Sequence, residues 1–360
     1  MNTQRPILLA AGGTGGHLFP AESLALELRK RGYKVELVSD ERAVGYAGQF
    51  PADAIHEIIS GTVTGTGFIG KIHGVLKLIK GMLQARGLMA RIKPSIVVGF
   101  GGYPTVPPLL AASNRRIPTL IHEQNAVMGR ANRFLAGKVS AIATGFETIP
   151  IGKGPKPVCV GIPVRDAVLQ AARLPFPDME HIQLCVFGGS QGARVMSEIV
   201  PKAVMLLPEN LRTKLKIVQQ ARKEDLNAVQ QIYADAGVNA IVEAFFSNLP
   251  HLIAQSHLVI GRGGASTVAE LSVIGRASIL VPLPGSLDQD QAANAGVLEK
   301  MDAATVIKQS DFTAKWLAGE LSRQLQNTDE LKAQGHRAKT IAIVDAASRL
   351  ADLVIATAKI

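Results

Sequence analysis

Short apolar runs rich in β-branched residues alternate with longer stretches of helical spacing along almost the whole chain. "PILLAA", "KVELVS", "SIVVGF", "PTLIHE" and "SAIATGF" occupy the first half; "IQLCVF", "LKIVQQ", "NAIVEAFF", "HLVIGR" and "ASILVPL" occupy the second. Strands that are apolar at nearly every position are covered on both faces, which predicts parallel sheets flanked by helices and an α/β class. "LLAAGGTGGH" is echoed about 176 residues later by "CVFGGSQGAR". Each half therefore restarts with a strand, a glycine loop and a helix, the opening of a doubly wound domain. The Pro/Gly/Lys-rich stretch "PIGKGPKP" precedes the restart. The pattern predicts one domain over 1–163 and a second over 164–340, with the helical run 341–360 crossing back to pack on the first.

With 360 residues there is enough chain for two ordinary cores. Cys159 and Cys185 have neither metal-ligand spacing nor a disulfide framework, which fits a reducing cytoplasm. No run reaches the length of a membrane span and no secretory signal pattern opens the chain, so neither export nor membrane insertion is expected. The net charge of +10 changes the picture once it is divided. Residues 1–163 carry 19 Lys/Arg against 9 Asp/Glu, whereas 164–360 carry 20 against 20. No acidic residue lies between Glu57 and Glu123, where Lys71, Lys77, Lys80, Arg86, Arg91, Lys93, Arg115 and Arg116 occur. Such one-sided charge predicts an anionic surface as partner. Four Tyr and one Trp leave little for base stacking, and nucleic acid is not expected.

The first glycine loop is not a dinucleotide fingerprint: from Gly13 it reads G-T-G-G-H-L, with Leu18 where the third glycine belongs, although Asp40 imitates the ribose-binding acid. "GTGFIGKI" (65–72) fails as a P-loop because Ile72 replaces the magnesium-binding hydroxyl. "DQD" (288–290) has the spacing of a metal-binding acid pair without a third ligand, so neither metal nor cofactor is expected. Four glycine-rich strand-to-helix turns remain, two per predicted domain. Thr14, Gly15, Gly16 and His17 lie in the first; Tyr103 and Thr105 in "GFGGYPTVPPLL"; Ser190 and Gln191 in "FGGSQGARVMSE"; Arg262, Ala265, Ser266 and Thr267 in "GRGGASTVAELSVIG". Amides at such helix starts suit phosphate.

His122, Glu123, Gln124 and Asn125 are consecutive polar residues after an apolar strand, at the carboxyl end where a parallel sheet binds ligands. A helix cap would explain only one of them. Glu270, one or two turns into its helix, suits vicinal ribose hydroxyls, and Gln289, Gln291 and Asn294 suit sugar hydroxyls. Together these features predict a nucleotide-sugar cleft between two nucleotide-fold domains. A non-catalytic nucleotide-sugar sensor would share them.

"GGTGGHLFPA", "GFGGYPTVP", "HEQN", "PVR", "GGSQGAR", "GRGGASTVAE" and "DQAANA" closely resemble, in order and spacing along the whole chain, the bacterial N-acetylglucosaminyltransferases that form lipid II for peptidoglycan. The resemblance implies a GT-B fold and inverting transfer of N-acetylglucosamine from UDP-GlcNAc to the C4 hydroxyl of undecaprenyl-linked MurNAc-pentapeptide (lipid I). It implies that the first glycine loop faces donor and acceptor phosphates. Asn125 would touch the donor sugar, Arg165 and Ser190 the diphosphate, the Phe246 backbone the uracil, Glu270 the ribose and Gln291 the GlcNAc hydroxyls. Ile162 stands where the family usually has asparagine, Thr105 where it has serine, and Gly263 where serine is frequent. His17 is the favoured general base and His122 the second candidate, with Glu123 acting beside it as an alternative; an imidazole, at about 6.5 unperturbed, suits the role.

Other GT-B UDP-sugar enzymes, a diacylglycerol glycosyltransferase or a UDP-GlcNAc epimerase, are the nearest rivals. A lipid-linked acceptor also implies contact with the cytoplasmic face of the plasma membrane and with protein partners in wall synthesis. Ile72, Val75, Leu76, Ile79, Met82 and Leu83 share one helical face beside Lys71, Lys77 and Lys80, as an interfacial patch or, more plainly, as a core-facing stripe.

Overall fold

The computed structural model describes residues 5–12, 15–41, 50–59, 68–147, 152–178, 181–189 and 192–360, with the side chains of 68–78 and of residue 287 left aside. The chain divides into two compact units, Met1–Arg165 with Ile343–Ile360, and Asp166–Ala342. Among the described residues the first holds a seven-stranded parallel sheet: β1 (Ile7–Ala10), β2 (Val35–Ser39), β3 (Ala54–Glu57), β4 (Ile96–Gly99), β5 (Thr119–Glu123), β6 (Ala141–Thr144) and β7 (Val158–Cys159). Their order is β3-β2-β1-β4-β5-β6-β7. The second holds six parallel strands: β8 (Ile182–Val186), β9 (Leu215–Gln220), β10 (Asn239–Glu243), β11 (Leu258–Gly261), β12 (Ala277–Leu280) and β13 (Ala304–Val306). These run β10-β9-β8-β11-β12-β13. Two doubly wound parallel sheets are the GT-B arrangement.

The inner strands are largely apolar because each feeds two cores. In β1, Ile7 and Leu9 join one buried cluster and Leu8 and Ala10 another; in β4, Ile96 and Val98 go one way and Val97 the other. Alternate side chains leave a strand on opposite faces, so a sheet covered on both sides cannot show polar alternation. The helix Ala346–Ala358 sets Leu350, Ala351 and Val354 into the cluster that holds Ile7 and Leu9, and Asp352 and Ser348 accept from Arg31 at the end of the helix Gly15–Lys30.

Two strands were not anticipated, β3 and β13, and both are outermost in their sheets, as is β7 around Cys159. Edge strands are short and half-covered, so their patterns, alternating in β3 and only two residues long in β7, carry little apolar signal. In the helix Phe68–Ile92, Ala85, Leu88 and Met89 are buried while Ile79, Lys80, Leu83 and Arg86 are exposed. Met82 sits partly against the core. The expected stripe therefore splits at this end, and its members Ile72, Val75 and Leu76, with Lys71 and Lys77, lie outside the described side chains.

Candidate active site

Each sheet has one place where the winding reverses. After β1 the chain moves to β2 and β3 on one side, and from β4 it moves to β5 and β6 on the other, so the loops at the carboxyl ends of β1 and β4 diverge and leave a crevice. Glycines permit that geometry. A Cβ on Gly12 would stand 2.8 Å from the Pro104 ring, so the two loops touch. Gly101 and Gly102 have φ of 91° and 78°, a left-handed region that side chains avoid. The His17 ring lies against this turn, its Nε2 3.3 Å from where a Cβ on Gly101 would sit. His17 is half-buried on the first turn of Gly15–Lys30, beside exposed Gly16. Half-buried Tyr103 follows the turn, and the Thr105 hydroxyl donates back to Gly102 O at 2.8 Å.

Further along the same edge, the Arg165 guanidinium stacks 4.2 Å over the Phe19 ring. Burial pushes the Glu22 carboxyl up from the usual range, and the Arg165 charge offsets part of that.

In the second unit the reversal falls between β8 and β11. Gly188, Gly189 and Gly192 close a tight turn: a Cβ on Gly188 would lie 2.2 Å from the Ala193 nitrogen, and Gly189 and Gly192 have φ of 88° and 68°. The helix Arg194–Met205 follows with no side-chain cap on its first amides. Beside it, Gly264 begins Ala265–Ile274, likewise without a side-chain cap. A Cβ on Gly263 would stand 2.3 Å from Gln291 O, so only glycine admits that backbone. Ser266, Thr267 and Glu270 share one face of this helix at i, i+1 and i+4, and Glu270 is 7% exposed. The Ser266 hydroxyl is buried with no hydrogen-bond partner. Two uncapped helix starts and a buried hydroxyl at one crevice suit a diphosphate.

The glycosyltransferase family 28 N-terminal domain model matches residues 7–144, and the family 28 C-terminal domain model matches 183–350, one on each sheet. Together with full-length relatives more than half identical, this decides the family. The chain belongs to glycosyltransferase family 28. Relatives named UDP-N-acetylglucosamine--N-acetylmuramyl-(pentapeptide) pyrophosphoryl-undecaprenol N-acetylglucosamine transferase include that of Methylobacterium sp. (strain 4-46), 54% identical over 98% of this chain and 96% of its own. That of Chelativorans sp. (strain BNC1) is 51% identical over 98% and 96%. Among solved structures, Acinetobacter baumannii MurG superposes with a TM-score of 0.79 at 28% identity, over 97% of this chain and 99% of that one. A Neisseria meningitidis UDP-GlcNAc 2-epimerase, TM-score 0.67 at 13% identity over 97% and 100%, shares the fold alone.

Several residues expected at the family 28 site do other work. His122 is fully buried in β5; its Nε2–H donates to Gly161 O at 2.9 Å and its Nδ1 accepts from Gln124 Nε2 at 3.1 Å. Burial lowers its pKa to about 4. With both nitrogens engaged and no exposure, His122 cannot take a proton from substrate. Glu123 is 1% exposed and serves as an acceptor for its own loop, which removes it as an alternative base. Arg262 turns away, donating to Val281 O at 2.9 Å and Gln309 Oε1 at 2.8 Å, while burial lowers its pKa. Asn294 is fully buried and donates to Gly263 O at 3.2 Å, so it holds the glycine turn. Buried Ala265 contributes its helix-start backbone only.

Gln291 is half-buried, its Oε1 accepting from Leu283 N at 2.9 Å. Phe246 is half-buried in the loop after β10, next to Phe245 at 72% exposure. Asn125 keeps a half-buried position at the end of β5. Thr14, Ser190 and Gln191 lie outside the described residues. Phe19, Asn132 and Gln220 were not anticipated. Phe19 seats Arg165, Asn132 donates to Glu123 Oε2 at 2.8 Å, and Gln220 anchors the Phe246 loop by donating to Ala244 O at 3.2 Å. Their sequence signals were weak: an aromatic in an amphipathic helix, and amides at strand and helix ends.

Proposed function

We propose that this family 28 enzyme transfers N-acetylglucosamine from UDP-GlcNAc to the C4 hydroxyl of undecaprenyl-pyrophosphoryl-MurNAc-pentapeptide, forming lipid II. The observation that carries the reading is identity of 51–54% along nearly the whole chain to relatives named for that reaction. His17 accepts the proton of the attacking hydroxyl as its oxygen bonds the anomeric carbon from the face opposite UDP. The bond from that carbon to the β-phosphate oxygen breaks, and the configuration inverts. The departing charge is met by the amides that open Arg194–Met205 and Ala265–Ile274, by Ser266 and by Arg165, donors already oriented before the reaction. Ser190 and Gln191 would extend that cradle. Glu270 accepts from the ribose hydroxyls, the backbone at Phe246 reads the uracil, and Gln291 and Asn125 meet the sugar.

Exposed Ile79 and Leu83, one turn apart with exposed Lys80 and Arg86 beside them, support docking on the anionic cytoplasmic leaflet as a peripheral protein. No described helix is long and apolar enough to cross a membrane. Incubation with UDP-GlcNAc and a short-chain lipid I analogue tests the activity. A β-linked disaccharide product with UDP release is expected, and consumption of UDP-GlcNAc without a disaccharide would overturn the acceptor assignment.

A further inference from the structure

Glu123 is a buried carboxylate for which the proton transfer above has no use. Its Oε1 accepts from the backbone N and side-chain Nδ2 of Asn125 at 3.0 and 3.1 Å. Its Oε2 accepts from Gly129 N at 2.9 Å and Asn132 Nδ2 at 2.8 Å. All four partners are neutral N–H donors, so both oxygens must remain acceptors; an amide in place of the carboxylate would turn one of them into a donor facing two donors. Asn132 reaches further. Its Nδ2 lies 3.5 Å from where a Cβ on Gly101 would sit, and His17 Nε2 lies 3.3 Å from that same point. One carboxylate thus holds Asn125 directly, and through Asn132 it underpins the turn on which His17 rests.

We propose that Glu123 and Asn132 are positioning residues for glycosyl transfer, acting through Asn125 and through the Gly101 turn that seats His17. The inference rests on the roles given above to His17 and Asn125. It differs from a catalytic role for Glu123, because what matters is its hydrogen-bond match, of which the contact with Asn132 can be exchanged between the two residues.

The test uses the full-length enzyme with Glu123→Gln, Asn132→Asp and the double variant. Glu123→Gln opposes donor to donor, Asn132→Asp sets two carboxylates together, and the double variant restores one amide and one carboxylate across the pair. Each single variant is expected to lower kcat about 10–100-fold, the scale of a small misplacement of reacting groups, while UDP affinity measured by calorimetry stays within about two-fold. The double variant is expected to regain part of the loss, since it re-pairs residues 123 and 132 but leaves the Gly129 N–H against the new amide, and a double-mutant cycle reads that coupling directly. Single variants with undiminished kcat, or a double variant no better than the product of the single losses, would overturn the proposal. So would losses of kcat matched by equal losses of UDP affinity and thermal midpoint. Titration of the His17 imidazole by NMR supplies a readout independent of turnover, with a displaced titration in each single variant and partial recovery in the double. Should wild type make no disaccharide, the functional reading fails by itself while the NMR comparison still decides the positioning claim.

Discussion

His17 and His122 show how far one residue type can be divided by its surroundings. Both follow an apolar strand, but His122 is still inside β5, where its side chain points into protein, whereas His17 sits a turn into a helix on a glycine bend. Because the His122 ring stays neutral in the native protein down to about pH 4 while the unfolded chain binds a proton below about 6.5, stability falls on acidification through that window. Between pH 7 and pH 5 the loss from this group is about 2 kcal/mol. Urea titrations of wild type and His122→Gln check it; the variant's stability should depend less on pH in this range, and an equal slope would count against the burial argument. His17→Ala should lower kcat about 10²–10⁴-fold with UDP affinity unchanged. Glu270→Ala should instead raise the KM for UDP-GlcNAc about ten-fold or more and spare kcat at saturating donor, the pattern expected when a hydrogen bond to a charged acceptor is lost. Steady-state kinetics of the two variants separate base from ribose clamp.

At the scale of elements, the glycine turns do most to shape the site. "GFGG", "FGG" and "GRGG" were legible as ligand turns because glycine costs stability in regular structure and is most useful where a backbone bends or is closely approached. Which glycine was indispensable was not legible. Gly263 stands where the resemblance implies that serine is frequent, yet here Gln291 O occupies the space of a side chain. Gly263→Ser is therefore expected to cost about 1–3 kcal/mol of stability and to raise the KM for UDP-GlcNAc, since the turn opens Ala265–Ile274. A thermal midpoint within a degree of wild type would show that the Asp290–Glu299 helix start gives way freely. The edge strands β3 and β13 escaped notice for a related reason: a half-covered element need not look apolar, and its place is set by the neighbour it pairs with.

For the whole molecule, the repeat of strand, glycine loop and helix predicted two doubly wound sheets, and both have that form with their reversals at β1/β4 and β8/β11. The excess of positive charge belongs to the first half of the chain. Membrane docking through that half predicts that association with vesicles containing anionic lipid weakens as salt rises from low to about 0.5 M, because exposed charges are screened within a few ångströms there. Leu83→Asp should weaken vesicle binding further without changing UDP affinity; sedimentation with vesicles measures the first and calorimetry the second. Binding to neutral and anionic vesicles alike would argue against an electrostatic dock.

The chain's own pattern was enough for the α/β class, the duplicated winding and the position of the glycine turns, because periodicity and glycine chemistry are local properties. Only the tertiary structure showed which polar residues around those turns are taken by distant protein partners and so hold the turns in place. His122 finds its acceptor 39 residues away at Gly161, Arg262 its partner 47 away at Gln309, and Asn294 the Gly263 carbonyl 31 away. A polar side chain's task depends on whether such a distant partner satisfies it once water is removed, and no stretch of neighbouring sequence records that.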